Sequence, residues 1–439
     1  MVLENKSRKE LLEKIRTNDP VGRTRLYYRG QSQDFDVHKI DLDYLIYNRQ
    51  NGRIEAEMLT WETQNSVSSG IYNAEVHERI DEYLWESSLQ NNKRTLTDLE
   101  KKGQQRFGIV TLDGIVIDGN RRTMLLRRLA KKNNQKQFLD AIILPDAYED
   151  NQSDIVRMET QYQLGEDAKV EYGALQKYLH TRRLHRDNRI ETPEIDELMG
   201  ESPGNAERLL AIMELMDEYL EHIDCPGLYL MLKNDSGTKE GMFVDLYQDL
   251  KRLSSGSSNT KIPWAFDPEI DLAELKMIHF DYIRLGDFSD AKKNYRNISH
   301  AGAGKNFFAN KEIWEQFSQS HSDSVNPIST NPELESVEAF MAKNPEFETK
   351  LDAALARDQR WKNAADPLMR GNFRKADHKL ELEKQEREPY EYLTRALDYL
   401  QKIDLQSNVL LADDRNRDLV RDINSFAWEA KKKFDRKRQ

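Results

Sequence analysis

Cysteine is almost missing from this chain of 439 residues. The single thiol, Cys225, excludes an intramolecular disulfide and any cysteine-cluster zinc or iron–sulfur site. No stretch approaches the roughly 18 uninterrupted apolar residues of a membrane span. The nine histidines form no HExxH, and His180 and His185, five apart, share no helix face, which points to surface positions rather than metal ligands. No internal repeat is present. The apolar share of 38% is low and a third of the side chains are charged, the profile of a helix-rich protein with much surface rather than a compact barrel. The net charge of −11 disfavours a protein that coats nucleic acid with its whole surface. The opening MVLENKSRKELLEKIR has a charged, helical period unlike a secretory signal. These absences together predict a soluble, cytoplasmic protein without membrane contact.

The length fits two to four domains. Residues 1–35 read as an amphipathic helix (Leu11, Leu12, Ile15) and a polar connector. Over 36–150, short strand-like runs (Phe35–Leu42, Phe107–Thr111, Ile115–Asp118, Ala141–Leu144) alternate with helical windows, the pattern of a small mixed-sheet domain. Helical periodicity dominates 151–225, and 226–330 is less regular, with a Ser/Gly-rich loop at Leu253–Thr260. The polar run SQSHSDSVNPISTNP, ending at Pro332, reads as a linker. Beyond it, 331–439 carries apolar stripes at helical spacing (Leu393, Leu397, Leu400; Leu419, Ile423, Phe426) and a basic tail. Trp361, Phe426 and Trp428 are expected in helix-packing core. The fold class expected is α+β, a small N-terminal mixed sheet followed by largely helical middle and C-terminal domains.

The segment GQQRFGIVTLDGIVIDGNRRTMLLRRLA, residues 103–130, is the most informative. Two short apolar strands flank Asp113-Gly114, a dipeptide suited to a tight hairpin. The second strand runs into Gly119-Asn120, which opens a helix capped by Asp118 or Asn120. Arg121 and Arg122 then occupy the first turn, where the helix macrodipole favours acids. Two cations set against that preference, beside a glycine and free backbone N–H groups, suit an anion. A pair of solvated surface arginines fits the local pattern equally well. Arg127, Arg128, Lys131, Lys132 and Lys136 keep the helix basic, with no acid from Asn120 to Lys136.

VIDGNRRTMLLRRL resembles the glycine–x–arginine–arginine box of the ParB/sulfiredoxin-like superfamily. VHKIDLDYLIYNRQNGRI is similar to that family's opening strand and N-P-x-x-P-R element, with Asn48, Asn51 and Arg53 in place but no proline. Gly103-Gln104-Gln105-Arg106 stands where the family has G-x-x-Q-P, and residues 155–163 resemble its E-N-x-Q helix through Glu159 and Gln163. The resemblance implies a nucleoside triphosphate (CTP or ATP) bound with Mg²⁺ and hydrolysed. Arg121 and Arg122 would neutralise phosphate charge, and Gly119 and Asn120 would cradle it. Arg53, Gly103, Arg106, Asp118 and Gln163 would complete the nucleotide site. Glu159 would hold metal or water, acting in catalysis with Arg122. Glu159 and Gln163, four apart, share a helix face, the arrangement of an ordinary exposed polar pair as well. Thr160 and Leu164 depart from the family's asparagine and arginine.

A DNA reader of this family carries a helix-turn-helix after the nucleotide domain. Thr192–Gly200 matches a first helix and turn, with a cap and an N1 proline, and Ser202–Leu210 a second helix. Asp196 falls where a small apolar residue is usual, and the second helix offers only Asn205 and Arg208 to a groove, so a degenerate helical support is the stronger reading. Arg182, Arg183 and Arg186, with Arg208, are the candidate DNA contacts; a solvated charged face is the plainer account. Gly302-Ala303-Gly304-Lys305 fails the P-loop signature at both ends. The long extension suggests a DNA-associated protein of a prokaryotic accessory or anti-phage defence system, with DNA, a second copy or other proteins as partners, the last two through the C-terminal helices. Competing readings are a metal-dependent DNA endonuclease, a nucleotide-switched binding module without turnover, and a small-molecule kinase.

Overall fold

The computed structural model describes residues 3–67, 72–164, 173–234, 237–255, 262–286, 288–290, 293–300, 306–332, 334, 336–407 and 413–437. The fold is α+β and 65% helical, with a six-stranded mixed sheet near the N-terminus followed by helices. Two compact units divide after Phe373. Residues 36–150, 151–225 and 226–330 all lie within the first.

Helix α1 (Asn5–Arg16) precedes β1 (Gly22–Tyr28), β2 (Gln31–Asp41) and β3 (Ile46–Tyr47). After α2 (Glu55–Asn65), α3 (Ala74–Glu86) and α4 (Leu89–Lys102) come β4 (Gly108–Val110), β5 (Ile115–Asp118), α5 (Asn120–Asn133) and β6 (Phe138–Ile143). The sheet order is β1-β2-β6-β4-β5-β3; β6–β4 and β5–β3 are parallel and the other pairs antiparallel. The connector expected before residue 36 contains strand β1, paired with β2 through alternating Arg23–Asp36 and Arg25–Asp34 contacts. Its charged outward face hid the strand from a hydrophobicity reading.

Strand alternation sorts the core. Val110, Val116, Ala141 and Ile143 face Leu12 of α1 and Leu126 of α5, whereas Ile109, Ile117 and Ile142 face Ile155 and Met158. The latter pair lies on α6 (Gln152–Leu164). The hairpin at Asp113-Gly114 forms as expected: Gly114 has φ +85°, and a Cβ there would lie 2.4 Å from the Tyr44 carbonyl oxygen, so only glycine fits.

Helices α7 (Ala174–Arg186), α8 (Thr192–Met199), α9 (Asn205–His222), α10 (Glu240–Ser254) and α11 (Ile270–Leu285) follow. They build a second core around Leu179, Ile195, Met213, Tyr219, Phe243 and Phe280. The linker expected at 318–332 is instead mostly helix: α12 runs Lys311–Ser329. Phe317, His321 and Val325, at i, i+4 and i+8, are buried, while Gln319, Asp323 and Asn326 form the outer face. Pro327 falls in the last turn. Of the Leu253–Thr260 loop, 253–255 are described, and the Gly302–Lys305 segment lies outside the described residues. Helices α13 (Val337–Lys343), α14 (Lys350–Gln401) and α15 (Asp414–Lys437) complete the chain. Cys225 and Trp361 are buried as expected; Phe426 and Trp428 are exposed, contrary to a core role.

Candidate functional site

Helix α5 begins as the sequence suggests, but with a different cap. Gly119 is the N-cap, at φ +100°, and no side chain caps the helix. Asn120 turns inward instead: its amide donates to the Val116 carbonyl oxygen (2.6 Å), and its Oδ1 accepts the Asn48 N–H (2.9 Å). Among the described residues no side chain caps the first turn, which leaves room there for an outside acceptor.

Of the basic residues further along α5 and just past it, Arg127, Arg128, Lys132 and Lys136 are occupied. Arg127 donates to the carbonyl oxygens of Leu42 and Leu45 and lies over the Tyr47 ring. Arg128 pairs with Asp81, Lys132 with Glu100 and Lys136 with Asp41. The acids missing from α5 itself come from other elements. Arg53, Arg106, Arg121 and Arg122 differ: among the described residues none has an ion-pair partner within 4.0 Å. Arg121 donates to Asn92 Oδ1, leaving its buried Nη2 unpartnered, as is Nη1 of Arg122.

These charges act on one another. Burial draws Arg121 below its ordinary pKa and repulsion from Arg53 adds to the effect. Burial likewise lowers Arg122, against the attraction of Asp118 and with repulsion from Arg106. The Asp118 carboxyl is raised by burial, opposed by Arg122, the Gly119 N–H, Arg106 and Arg53. Arg122 Nη1 would lie 3.5 Å from a Cβ at Gly119, so the guanidinium sits against the helix start. Four guanidiniums, one carboxyl and an uncapped helix N-terminus make an electropositive site, chemistry that suits an anion. Gly103 (φ +66°) ends α4 just before it, and Gln104 holds the following loop to β6 through Asp140.

Glu159 lies deeper. It is 2% exposed, accepts from the Asn48 amide at 3.0 Å, and is pushed up to about 7 by burial, with Arg183 opposing and Glu55 and Asp118 adding. Asn48 thus joins the carboxyl to the start of α5, because its backbone N–H meets Asn120. Thr160, where the resembled family has asparagine, faces His180 Nε2 at 3.0 Å. Among the described residues no group of three or more His, Cys, Asp or Glu gathers to hold a metal ion. The side chains of Gln163 and Leu164 lie outside the described residues.

Two of the candidate DNA contacts prove to be internal. Arg183 is buried, 3.7 Å from Glu55 and 2.7 Å from His180 Nδ1, and donates to the Gln50 carbonyl oxygen. Arg182 holds Asp217 at 2.9 Å and the Tyr229 hydroxyl at 2.6 Å. Arg186 remains exposed, and Arg208 bonds Asn205. His180, expected at the surface, is buried and held well below its ordinary pKa by desolvation and by Arg183. Glu55 carried no sequence signal; only folding brings it to Arg183.

Asp196 explains the unusual helix-turn-helix. Its carboxylate accepts from the N–H groups of Gly204 and Ala206, both at 2.7 Å, so it caps α9 from α8. Helix α9 extends over 18 residues and buries Ala206, Leu209, Ile212, Met213, Leu215, Met216, Tyr219 and Leu220. It is a core helix, consistent with a helical support.

Comparison with protein-family models, with curated proteins and with solved structures finds no match.

Proposed function

We propose that the start of α5 is a phosphate site for a nucleoside triphosphate, CTP or ATP, in a protein of the ParB/sulfiredoxin-like kind. The carrying observation is that among the described residues Arg53, Arg106, Arg121 and Arg122 have no carboxylate within 4.0 Å, and Arg121 and Arg122 each keep a buried unpartnered nitrogen, while Arg127, Arg128 and Lys132 further along α5 are engaged. Gathering like charges at a half-buried site, with Arg106 at its exposed edge, is costly unless an anion completes the set. Two or more linked phosphates supply that anion, and an uncapped helix start adds N–H donors.

Hydrolysis is the favoured outcome. Glu159, whose carboxyl burial pushes up to about 7, would be the group to accept a proton from water. Mg²⁺ fits as an ion carried on the nucleotide's phosphates, since Mg²⁺ keeps its waters and needs only one or two carboxylates. Glu159 or Asp118 would supply that one carboxylate, and the ion would neutralise phosphate charge. A nucleotide-switched module without turnover is the second reading, favoured by the burial of Glu159 against Asn48. The DNA-associated role in an accessory or defence system rests on the sequence resemblance, with Arg186 exposed and Arg208 half-buried against Asn205.

The test is nucleotide binding by calorimetry and phosphate release with each of the four NTPs and Mg²⁺, with and without DNA. Wild type and R121A/R122A are compared, and DNA integrity is followed in parallel. Binding lost in the double variant is the expected result. Equal binding by both proteins refutes the site. Binding without phosphate release selects the switched module, and DNA nicking without nucleotide selects a nuclease.

A further inference from the structure

The sheet leaves one edge open. Strand β1 is the last in the order, and among the described residues no strand or backbone group pairs with its outer side. Its turn fixes which groups face out. Arg29 and Gly30, both at positive φ, form a two-residue hairpin, so Tyr28 and Gln31 are the closing hydrogen-bonded pair. Alternation from there turns the backbone N–H and C=O of Tyr27, Arg25 and Arg23 away from β2. Natural edges are usually shortened, or blunted by lysine or proline. This one is seven residues long, GRTRLYY, holds neither, and its two arginines face Asp36 and Asp34 across the hairpin.

A cavity lies at the end of that edge. Helix α6 turns Glu159 toward Asn48, which follows β3 at the far side of the sheet. Its opposite flank, with Asp154 and Arg157, faces the hairpin end, and with Glu194 and Glu197 of α8 it encloses about 270 Å³ beside Tyr27. That is below the roughly 300–1,000 Å³ of small-molecule clefts and suits a single side chain. Its charge is selective. Arg29 is held by Asp146 at 2.7 Å and Arg157 by Glu194 at 2.5 Å. Asp154 stands 3.8 Å and 3.9 Å from those two guanidiniums. Glu197 is exposed and has no ion pair within 4.0 Å among the described residues. Spare acid beside the exposed Tyr27 ring favours a cation on a long apolar stem.

We propose that β1 and the flank of α6 and α8 form a groove for an extended peptide of a partner protein, which adds as a strand to β1 and places a lysine or arginine side chain in the acidic cavity. Main-chain hydrogen bonds to Arg23, Arg25 and Tyr27 set the register, and Glu197 and Asp154 select the cation. No groove residue belongs to the phosphate site, so the two readings stand or fall separately.

Display of a random heptapeptide library against the full chain, followed by fluorescence anisotropy with the most enriched peptide, tests this. Lysine or arginine at one fixed position is expected, and replacing it with glutamate weakens binding by about tenfold or more. N-methylation of alternate peptide nitrogens does the same, because it removes the donors of a strand without altering the protein. Arg25→Pro deletes an outward N–H and spares the β1–β2 ladder; it abolishes binding while circular dichroism and the thermal transition match wild type. Glu197→Lys shifts the preference to an acidic residue, a readout that misfolding does not produce. A library without enrichment overturns the proposal, as do enriched peptides lacking the basic residue. Binding that survives Arg25→Pro or N-methylation overturns it, and so does an unchanged preference in Glu197→Lys. A wild-type dimer that dissociates on Arg25→Pro places a second copy's β1 on the edge and overturns it too.

Discussion

Glu159→Gln is the sharpest test of the buried cluster. The carboxyl is held near pH 7 against an ordinary 4.5, chiefly because burial penalises its charged form. In the unfolded chain it ionises near the ordinary value. Between the two, the folded state binds the extra proton, so stability falls as pH rises from about 4.5 to about 7 and stays lowered above. At about 1.4 kcal/mol per pH unit, the full penalty above pH 8 is about 3 kcal/mol. Glutamine keeps an oxygen for the Asn48 amide, 3.0 Å away in the native protein, but has no charge to bury. Urea unfolding followed by tryptophan fluorescence at pH 5, 6, 7 and 8 measures the difference. The variant is expected to be more stable than wild type by about 3 kcal/mol at pH 8, with most of that advantage gone at pH 5. An offset independent of pH, or a variant less stable at pH 8, refutes the account of Glu159.

Three further outcomes are expected. Gly119→Ala forces a side chain into φ +100°, lowering stability by about 1–2 kcal/mol in urea melts and weakening nucleotide binding by displacing the helix start. Asp196→Ala removes the acceptor of two α9 N–H groups and costs about 1–2 kcal/mol, whereas Asp196→Asn retains part of it; chemical unfolding of the three proteins checks the order. Arg183→Met leaves the buried Glu55 without its cation, lowering stability by about 3–5 kcal/mol, while salt-dependent DNA binding, if measured by anisotropy, loses no phosphate contact.

Local chemistry was legible in the sequence. The Asp113-Gly114 turn, strand Ile115–Asp118 and the helix opening after Gly119 follow from positive-φ glycine and apolar runs that need no distant partner. The mixed sheet followed by helices also follows from the order of periodicities. Strand β1 and helix α12 were not legible, because charged and polar residues dominate them, and only the pairing of β1 with β2 and the burial of Phe317, His321 and Val325 on α12 define them. The same limit governs the basic residues. A run of arginines and lysines looks uniform along α5 and α7, and only tertiary contact shows which have found acids. Asp81 and Glu100 reach α5, Asp41 reaches Lys136 just past it, and Asp217 and Glu55 reach α7, from elements far away in the chain. The sequence alone determined that Arg121 and Arg122 open a helix, because chain position sets that. Tertiary structure decided that they and Arg53 and Arg106 have no acid within 4.0 Å among the described residues and that Glu159 is buried beside Asn48, because charge balance and desolvation depend on neighbours in space.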